Sequence, residues 1–276
     1  MNTAFALFRM KNQIGSLIAP NHTAVRMGKL FLSPRRYSPK AWESAAESTA
    51  ERFWLTPELS ALRWSPTVFQ RDSKIALLVH GWESRATQMA PLVPDLQALG
   101  YQVIALDMPA HGHSSGSTTN VYAFAQTLLQ AQRLLGPFDT VIGHSMGAAA
   151  SGVAHSLGLQ MSKLILISGP SSIESVLNRF AGFIGLGRRA RKHFLDVIGE
   201  TVGVPPKALD VATGLQASNA SILVIHDEDD LEVPLSESRR LAQALPHARL
   251  VVTQGLGHRK ILRSDLVRDE ILNHLS

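Results

Sequence analysis

A serine with a glycine two positions away on each side lies in residues 143–147, which read Gly-His-Ser-Met-Gly. In the pattern G-x-S-x-G, the serine sits on a sharp turn between a strand and a helix, with its hydroxyl exposed for nucleophilic attack. An ordinary glycine-rich turn can have the same five-residue pattern, so the flanking sequence must distinguish a nucleophile from a structural serine. Residues 139–142 favour a strand and residues 146–157 a helix, which is the setting that the motif needs. We therefore predict Ser145 as a nucleophile.

A serine nucleophile needs a general base, and histidine fills this role most often. His258 follows the last apolar run of the chain, in the sequence Gly-Leu-Gly-His. Of the eleven histidines, it is the one that follows both the serine and the acidic segment in a loop at a strand end. His247 and His274 are more simply interpreted as surface residues. The sequence therefore predicts His258 as the base.

The acid that orients this histidine must come from a crowded segment. Five carboxylates lie within residues 226–232: Asp227, Glu228, Asp229, Asp230 and Glu232. Because so many like charges cannot all be buried, most of them must be solvated. The orienting acid should lie a few residues past the strand and four residues before Pro234, which selects Asp230. Asp229 and then Asp227 remain as alternatives.

A reacting carbonyl also needs donors for its developing negative charge. Residues 79–82, Val-His-Gly-Trp, follow the first long apolar run. A backbone N–H just after His-Gly can face the serine turn, so we expect the N–H groups of Trp82 and Met146 to form the two donors of an oxyanion hole. His80 is interpreted as a buried histidine that orders the turn.

Short apolar runs alternate with longer amphipathic stretches from residue 74 onward, and these elements must position the side chains above. The runs cover residues 75–79, 103–106, 140–142, 164–167, 222–225 and 250–252. Helices are predicted over residues 86–99, 121–135, 146–157, 236–244 and 260–275. This alternation predicts an α/β fold with a mostly parallel sheet and helices on both faces. Sites in such sheets form at the carboxyl ends of the strands.

Two segments fall outside that alternation. Residues 169–220 contain helical patterns and a Val-Pro-Pro sequence in place of one crossover helix, and we interpret them as a small helical cap insertion. Residues 1–66 are predicted as a helical or irregular arm, and residues 67–276 as the catalytic domain that carries the cap.

Composition narrows the class of protein. The chain has 276 residues, 45% of them hydrophobic and 18% charged, which suits one large domain with a modest insertion. Cysteine is absent, so disulfides, cysteine metal sites and a thiol nucleophile are excluded. We expect neither a metal nor a cofactor. No apolar run approaches the roughly 20 residues of a membrane span, and a cytoplasmic protein is expected.

Charge is concentrated near the N-terminus. Residues 1–70 hold nine Lys/Arg against four Glu, whereas residues 71–276 balance at 18 against 18. A solvated segment that wraps the domain is the favoured interpretation, and contact with an anionic membrane surface is the alternative. No nucleic-acid-binding motif accompanies these charges, and no nucleic-acid partner is expected. The sequence does not indicate an oligomeric state.

Five motifs in order make the chain resemble the α/β-hydrolase family. They are Val-His-Gly-Trp, Leu-Asp-Met-Pro-Ala-His-Gly-His-Ser, Gly-His-Ser-Met-Gly, His-Asp-Glu-Asp-Asp-Leu-Glu-Val-Pro and Gly-Leu-Gly-His. The resemblance covers residues 74–275 and implies an eight-stranded sheet, a cap between the sixth and seventh strands, and a triad in the order Ser145, Asp230, His258. It implies a structural role for the loop at residues 107–114. Trp82-Glu83 stands where many members have Gly-Gly. Residues 1–70 lie outside the resemblance, apart from an edge hairpin expected at residues 64–70.

The expected substrate is a small-molecule ester or thioester, cleaved through an acyl-enzyme, because such substrates demand least of the leaving group. A serine at position 145 argues against dehalogenases and epoxide hydrolases, which need a carboxylate nucleophile. An acyltransferase or carbon–carbon-bond hydrolase would use the same triad, and a non-catalytic binding protein is the third alternative. The cap also carries a basic cluster, interpreted as a solvated helix face or as a site that steers an anionic substrate: Arg188, Arg189, Arg191 and Lys192.

Overall fold

Eight strands form a single sheet in the computed structural model, which describes residues 3–67 and 74–276. The strands are β1 (Glu51–Thr56), β2 (Leu59–Trp64), β3 (Ile75–Val79), β4 (Gln102–Leu106), β5 (Thr140–His144), β6 (Lys163–Ile167), β7 (Ser221–Asp227) and β8 (Arg249–Thr253). Their order is β1-β2-β4-β3-β5-β6-β7-β8. The β1–β2 and β2–β4 pairs are antiparallel, and all other pairs are parallel. The predicted fold class, a mostly parallel eight-stranded sheet with flanking helices, is confirmed.

The central strands owe their position to continuous runs of Val, Ile and Leu. β3 through β7 are almost entirely buried, with Leu77, Ile142 and Leu166 at the centre of the sheet. Strands covered by helices on both faces need apolar side chains on both, which is why these segments do not alternate. The carboxyl ends of β3, β5, β7 and β8 meet along one edge, and this edge holds the site described below.

The helices, numbered along the chain, follow the predicted positions with two differences. They are α1 (Thr3–Ile18), α2 (Pro20–Leu32), α3 (Ala41–Ser48), α4 (Val93–Ala98), α5 (Val121–Leu135), α6 (Met146–Ser156), α7 (Ile173–Phe183), α8 (Arg188–Val202), α9 (Val211–Gly214), α10 (Leu235–Ala244), α11 (Gly257–Lys260) and α12 (Asp265–Leu275). Three 3₁₀ segments accompany them: Ala86–Leu92, Pro206–Ala208 and Ile261–Arg263.

Both differences concern segments predicted as one continuous helix. Residues 86–99 divide into the 3₁₀ segment Ala86–Leu92 and the short helix α4, because Pro91 and Pro94 remove donors from the helical hydrogen-bond ladder. Residues 260–275 divide at Ser264, whose extended backbone precedes α12. Before this break, Lys260 ends the short helix α11, which begins at Gly257, and Ile261–Arg263 form the 3₁₀ segment.

The described residues form two compact units. The helical unit comprises residues 3–33 and 172–210, and the sheet unit comprises the remaining described residues. In the helical unit, α2 packs along α8, and the ring of Phe31 lies 4.9 Å from that of Phe180 and 5.9 Å from that of Phe194. The N-terminal segment is therefore not only a solvated arm, because its two helices share a core with the cap insertion.

The domain limits differ from those predicted. Residues 1–66 were expected to precede the catalytic domain, yet β1 and β2 lie within them and form a hairpin at the edge of the sheet. This hairpin ends at Trp64, where the expected one was to begin, and residues 68–70 of the expected one lie outside the described residues. The insertion spans residues 172–210 and not 169–220, because α9 packs on α6 within the sheet unit.

Within residues 3–67 and 74–276, no helix is both long and apolar enough to cross a bilayer.

Candidate active site

Ser145 occupies a strained turn between β5 and α6. Its φ of 55° and ψ of −120° lie in a region that L-residues with side chains rarely adopt. The flanking glycines make room for it: a Cβ on Gly147 would lie 2.2 Å from the carbonyl oxygen of Val79, and one on Gly143 would lie 2.6 Å from the backbone of Ala148. This strained turn places the Ser145 hydroxyl at the carboxyl end of β5.

His258 and Asp230 lie beside this hydroxyl. The Oγ of Ser145 lies 2.9 Å from Nε2 of His258, and Nδ1 of the same ring lies 2.7 Å from Oδ2 of Asp230. A carboxylate accepts, so Nδ1 carries the proton and Nε2 is free to accept from the serine hydroxyl. The structure thus brings together the three side chains that the sequence proposed as nucleophile, base and acid, although they are far apart in the chain.

The Asp230 carboxylate is held by its own turn. Its Oδ1 accepts from the backbone N–H groups of Glu232 and Val233, both at 2.8 Å. Burial raises the pKa of the Asp230 carboxyl, but the hydrogen bonds from His258 and from this turn outweigh burial, so the pKa lies below its ordinary value. The group is therefore ionised at neutral pH and oriented towards the imidazole.

The two alternative acids have other partners. Asp229 accepts from the N–H of Gly255 at 2.9 Å. Asp227 is fully buried, and its carboxylate accepts from Thr253 Oγ1 at 2.7 Å and from the N–H groups of Leu256 and Gly257 at 3.1 and 2.8 Å. Both therefore fix the loop that carries His258, a role that sequence reasoning did not assign. The signal in the sequence is a carboxylate at the end of a buried strand.

The His258 loop depends on glycine conformation as well. Gly255 and Gly257 have φ values of 81° and 63°, in the left-handed region. With this conformation, the consecutive N–H groups of Gly255, Leu256 and Gly257 donate to Asp229 and Asp227.

His144, the residue before the serine, was missed by sequence reasoning. Its Nε2–H donates to the backbone carbonyl of His258 at 2.8 Å, and the two rings lie 4.8 Å apart. Burial lowers the pKa of His144 to about 3, so the ring is neutral. His144 thus ties the turn that carries the serine to the residue that carries the imidazole.

Gly81, Trp82 and Met146 surround the serine on the other side. A Cβ on Gly81 would lie 2.8 Å from Cβ of Ser145, so its backbone is in close contact with the turn. Trp82 follows it and lines the same cavity as Ser145. Met146 is the first residue of α6, and the N–H groups of a first helical turn have no acceptor within the helix.

The neighbouring loops have the structural roles expected of them. His80 is fully buried, donates through Nδ1–H to the carbonyl of Gly81 at 2.7 Å and accepts at Nε2 from the N–H of Met108 at 3.0 Å. Burial lowers the pKa of His80 to about 3. In the loop after β4, Asp107 accepts from the N–H groups of Ala86 and His113 at 2.9 and 3.0 Å.

A cavity of about 260 Å³ opens at Ser145. It is lined by Arg35, Gly81, Trp82, Glu83, Ser84, Gln88, His144, Ser145, Glu232, His258 and Arg259. Two ion pairs contribute to its wall: Arg35 with Glu83 at 2.9 Å and Arg259 with Glu232 at 3.1 Å. Sequence reasoning singled out none of these four charges for the site. The basic cluster that it did consider lies in the first turns of α8, in the helical unit.

Glu232 is also close to the imidazole, with Oε2 at 3.9 Å from Nε2 of His258. The described part of the chain has no group of three or more His, Asp or Glu residues arranged to hold a metal ion.

The sequence and the fold both match known proteins. Residues 76–270 match the alpha/beta hydrolase family. A serine hydrolase-like protein of Dictyostelium discoideum is 32% identical over 116 residues, which cover 40% of this chain and 32% of the relative. The chain therefore spans about a third of the length of the curated relative that it matches.

Two solved structures share the fold. Est1E from Butyrivibrio proteoclasticus, solved with ferulic acid bound, has a TM-score of 0.64 at 16% identity and covers 79% of this chain and 95% of its own. The 2-hydroxy-6-oxo-6-phenylhexa-2,4-dienoate hydrolase of a Rhodococcus species has a TM-score of 0.61 at 19% identity and covers 82% and 98%. This likeness shows the fold, and the family match over residues 76–270, more than two thirds of the chain, shows that the chain belongs to the α/β-hydrolase family.

Proposed function

We propose that the protein is a serine hydrolase that cleaves a carboxylic ester or thioester through an acyl-enzyme intermediate. The observation that carries this proposal is the pair of hydrogen bonds that joins the Ser145 hydroxyl to the His258 imidazole and the imidazole to the Asp230 carboxylate. This arrangement activates a hydroxyl that is a poor nucleophile by itself. Family membership and the serine hydrolase-like relative support the same reaction class.

The reaction follows from the positions of the three groups. Ser145 Oγ attacks the acyl carbon while its proton passes to Nε2 of His258, and the carbonyl oxygen becomes an oxyanion. Asp230 stabilises the imidazolium through the Nδ1–H bond and does not itself take the proton. The imidazolium then protonates the departing alcohol or thiol, which leaves an acyl group on Ser145. A water molecule, deprotonated by His258, releases the acid and restores the serine.

The proposed oxyanion hole consists of the N–H groups of Met146 and Trp82. Met146 stands at the N-terminus of α6, where the helix dipole favours negative charge. Trp82 follows Gly81, whose backbone is in contact with the serine turn. Loss of one such donor usually costs about 3 kcal/mol of transition-state stabilisation.

The cavity favours a small acyl group. Its volume of about 260 Å³ lies just below the range for ligand pockets, roughly 300–1,000 Å³. Its wall includes the charged side chains of Arg35, Glu83, Glu232 and Arg259, so a long alkyl chain would find few apolar contacts. We therefore expect short-chain esters to be better substrates than long-chain ones.

A fluorophosphonate probe and a panel of p-nitrophenyl esters test the proposal. The probe should label the wild-type protein on Ser145 and should not label the Ser145→Ala variant. The variant should have the same melting temperature as the wild type, which shows that it is folded. Turnover should decline as the acyl chain grows from two to twelve carbons. Folded wild-type protein that neither reacts with the probe nor hydrolyses any ester would refute the catalytic assignment and favour a binding protein.

A further inference from the structure

Helix α1 has five large apolar side chains that point outward. Leu17 is 85% exposed and Ile18 79%, and three more apolar residues of the helix are about half exposed. The exposed set is Leu7, Met10, Ile14, Leu17 and Ile18. Their spacing of three, four, three and one residues places them on one side of the helix. We call this set the outer α1 face.

The opposite side of α1 is held in the helical unit by polar contacts and by the ring of Phe5, which lies 4.7 Å from that of Phe183. Asn12 and Ser16 are the buried residues of this helix. The Nδ2 of Asn12 donates to the carbonyl of Ile184 at 2.9 Å, and Arg26 donates to Asn12 Oδ1 at 2.8 Å. Ser16 Oγ accepts from the N–H of Gly187 at 3.0 Å.

Helix α1 therefore differs from an ordinary surface helix, which buries most of its large apolar residues. Its inner side buries Asn12 and Ser16 beside the ring of Phe5, and five large apolar residues face outward. A rotation that buried the outer face would break the hydrogen bonds of Asn12 and Ser16 and leave buried polar groups unpaired. The apolar residues consequently stay outward, although exposure of so many of them is unfavourable in water.

The helical unit also carries all of the net positive charge of the protein. Residues 1–33 and 172–210 contain ten of the 27 Lys/Arg and four of the 22 Asp/Glu, which leaves 17 against 18 in the rest of the chain. The first 33 residues contain no acidic residue. Lys11 and Lys29 are exposed on α1 and α2, as are Arg188 and Arg189 on α8.

We propose that the outer α1 face docks on an anionic lipid surface. Helices that combine an exposed apolar side with flanking cations lie in the plane of a bilayer interface, where apolar burial and attraction to acidic headgroups add together. Charge selects this occupant over a second copy of the chain, because two helical units of net charge +6 would repel each other. Helix α1 has sixteen residues and two cationic side chains. It is therefore too short and too charged for a membrane span of about 20 apolar residues, and suits a helix that lies in the interface.

Vesicle sedimentation tests this proposal with the full chain. Wild-type protein should bind vesicles of 30 mol% phosphatidylglycerol in phosphatidylcholine much more strongly than vesicles of phosphatidylcholine alone, and high salt should weaken the binding. The combined variant Leu7→Gln, Ile14→Gln, Leu17→Gln should reduce partitioning at least about tenfold, because it removes three inserted side chains. Lys11→Gln with Lys29→Gln should reduce it about fivefold per residue.

The control replaces three similarly exposed leucines of the sheet unit, Leu134→Gln, Leu157→Gln and Leu266→Gln. This variant should bind vesicles as the wild type does. Circular dichroism and turnover of a water-soluble ester should be unchanged in both triple variants, since all six positions are exposed and none of them belongs to the proposed catalytic groups.

Three results would overturn the proposal. The first is wild-type protein that fails to sediment with the acidic vesicles. The second is an equal loss of binding in the control variant. The third is a dimer in sedimentation velocity that the α1 triple variant dissociates, without vesicle binding, which would assign the face to self-association.

Discussion

The backbone carbonyl of His258 accepts a hydrogen bond from Nε2–H of His144 at 2.8 Å. His144 immediately precedes Ser145, so this bond links the backbone of the proposed base to the turn of the proposed nucleophile. The link can act only while His144 keeps its Nε2 proton. Burial lowers the pKa of His144 to about 3, so the ring stays neutral over the whole physiological range.

His144→Leu should lower kcat/KM by about fivefold, because a lost hydrogen bond of about 1 kcal/mol loosens the imidazole relative to the hydroxyl. His144→Gln retains an N–H donor at a similar reach and should recover part of the activity. His247→Asn, at an exposed position, is the matched control. If the Leu and Gln variants lose activity equally while their melting temperatures stay at the wild-type value, the hydrogen bond does not position the base.

Asp227→Asn should destabilise the protein by about 2–3 kcal/mol at pH 7. The carboxylate accepts hydrogen bonds from Thr253, Leu256 and Gly257, and an amide cannot accept all of them. Activity should fall as well, since these bonds hold the loop of His258. Asp229→Asn, which affects a single exposed bond to Gly255, should change stability by less than about 1 kcal/mol. Urea unfolding and ester turnover measure both effects.

The same variant has a definite pH dependence. Burial raises the pKa of the Asp227 carboxyl, but its hydrogen bonds outweigh burial and hold the pKa below its ordinary value. A folded-state pKa below the unfolded one contributes stability that is complete above about pH 4 and is lost as pH falls through the folded-state pKa. The stability gap between wild type and Asp227→Asn should therefore narrow below pH 4. A gap that stays constant down to pH 2 would contradict this account.

Local patterns in the sequence were sufficient to predict the buried strands and the turns that need glycine. The central residues of β3, β4, β6 and β7 are Val, Ile, Leu and Ala, and the glycines around Ser145 are needed because a Cβ there would overlap neighbouring atoms. Asp230 was selected by its distance from the strand end and from Pro234. The structure places its carboxylate against His258, and its catalytic role is our proposal.

Other features depend on contacts that no local pattern encodes. β1 is a partly exposed edge strand. Because it begins with the charged residues Glu51 and Arg52, it does not form a continuous apolar run and was not predicted. The packing of α2 on α8 joins segments that are more than 150 residues apart in the chain. Asp227 acts through backbone N–H groups, which every loop has, so its role appears only once the loop conformation is known.

Asp230→Asn should reduce kcat by about a thousandfold or more while stability falls only modestly. The amide can occupy the same space, but it carries no charge to stabilise the imidazolium and can favour the wrong tautomer of His258. The measurement is the steady-state rate with the fastest p-nitrophenyl ester, and fluorophosphonate labelling should slow in parallel. Asp229→Asn is again the control. Should Asp229→Asn prove the more damaging of the two, the acid would have to be reassigned.

Gly81→Ala should abolish most activity while the protein still folds. A methyl group at this position would lie 2.8 Å from Cβ of Ser145 and 3.3 Å from the carbonyl oxygen of His144, so the serine turn must shift. Such overpacking usually costs about 1–3 kcal/mol of stability. Displacement of the hydroxyl from His258 should lower kcat/KM at least about a hundredfold, because reacting groups must be aligned within a fraction of an ångström.

Gly182→Ala supplies the comparison for this last variant. Its added methyl group would approach only the guanidinium end of Arg191, at 3.3 Å. Because the Arg191 side chain is flexible, a small movement can relieve this contact. Thermal unfolding and ester turnover should then separate the effect on stability from the effect on catalysis. Gly182→Ala should keep wild-type stability and turnover, whereas Gly81→Ala should still fold but lose turnover. A Gly81→Ala protein with wild-type kcat/KM would show that the serine turn tolerates displacement, and the close contact between Gly81 and Ser145 would have no part in the reaction.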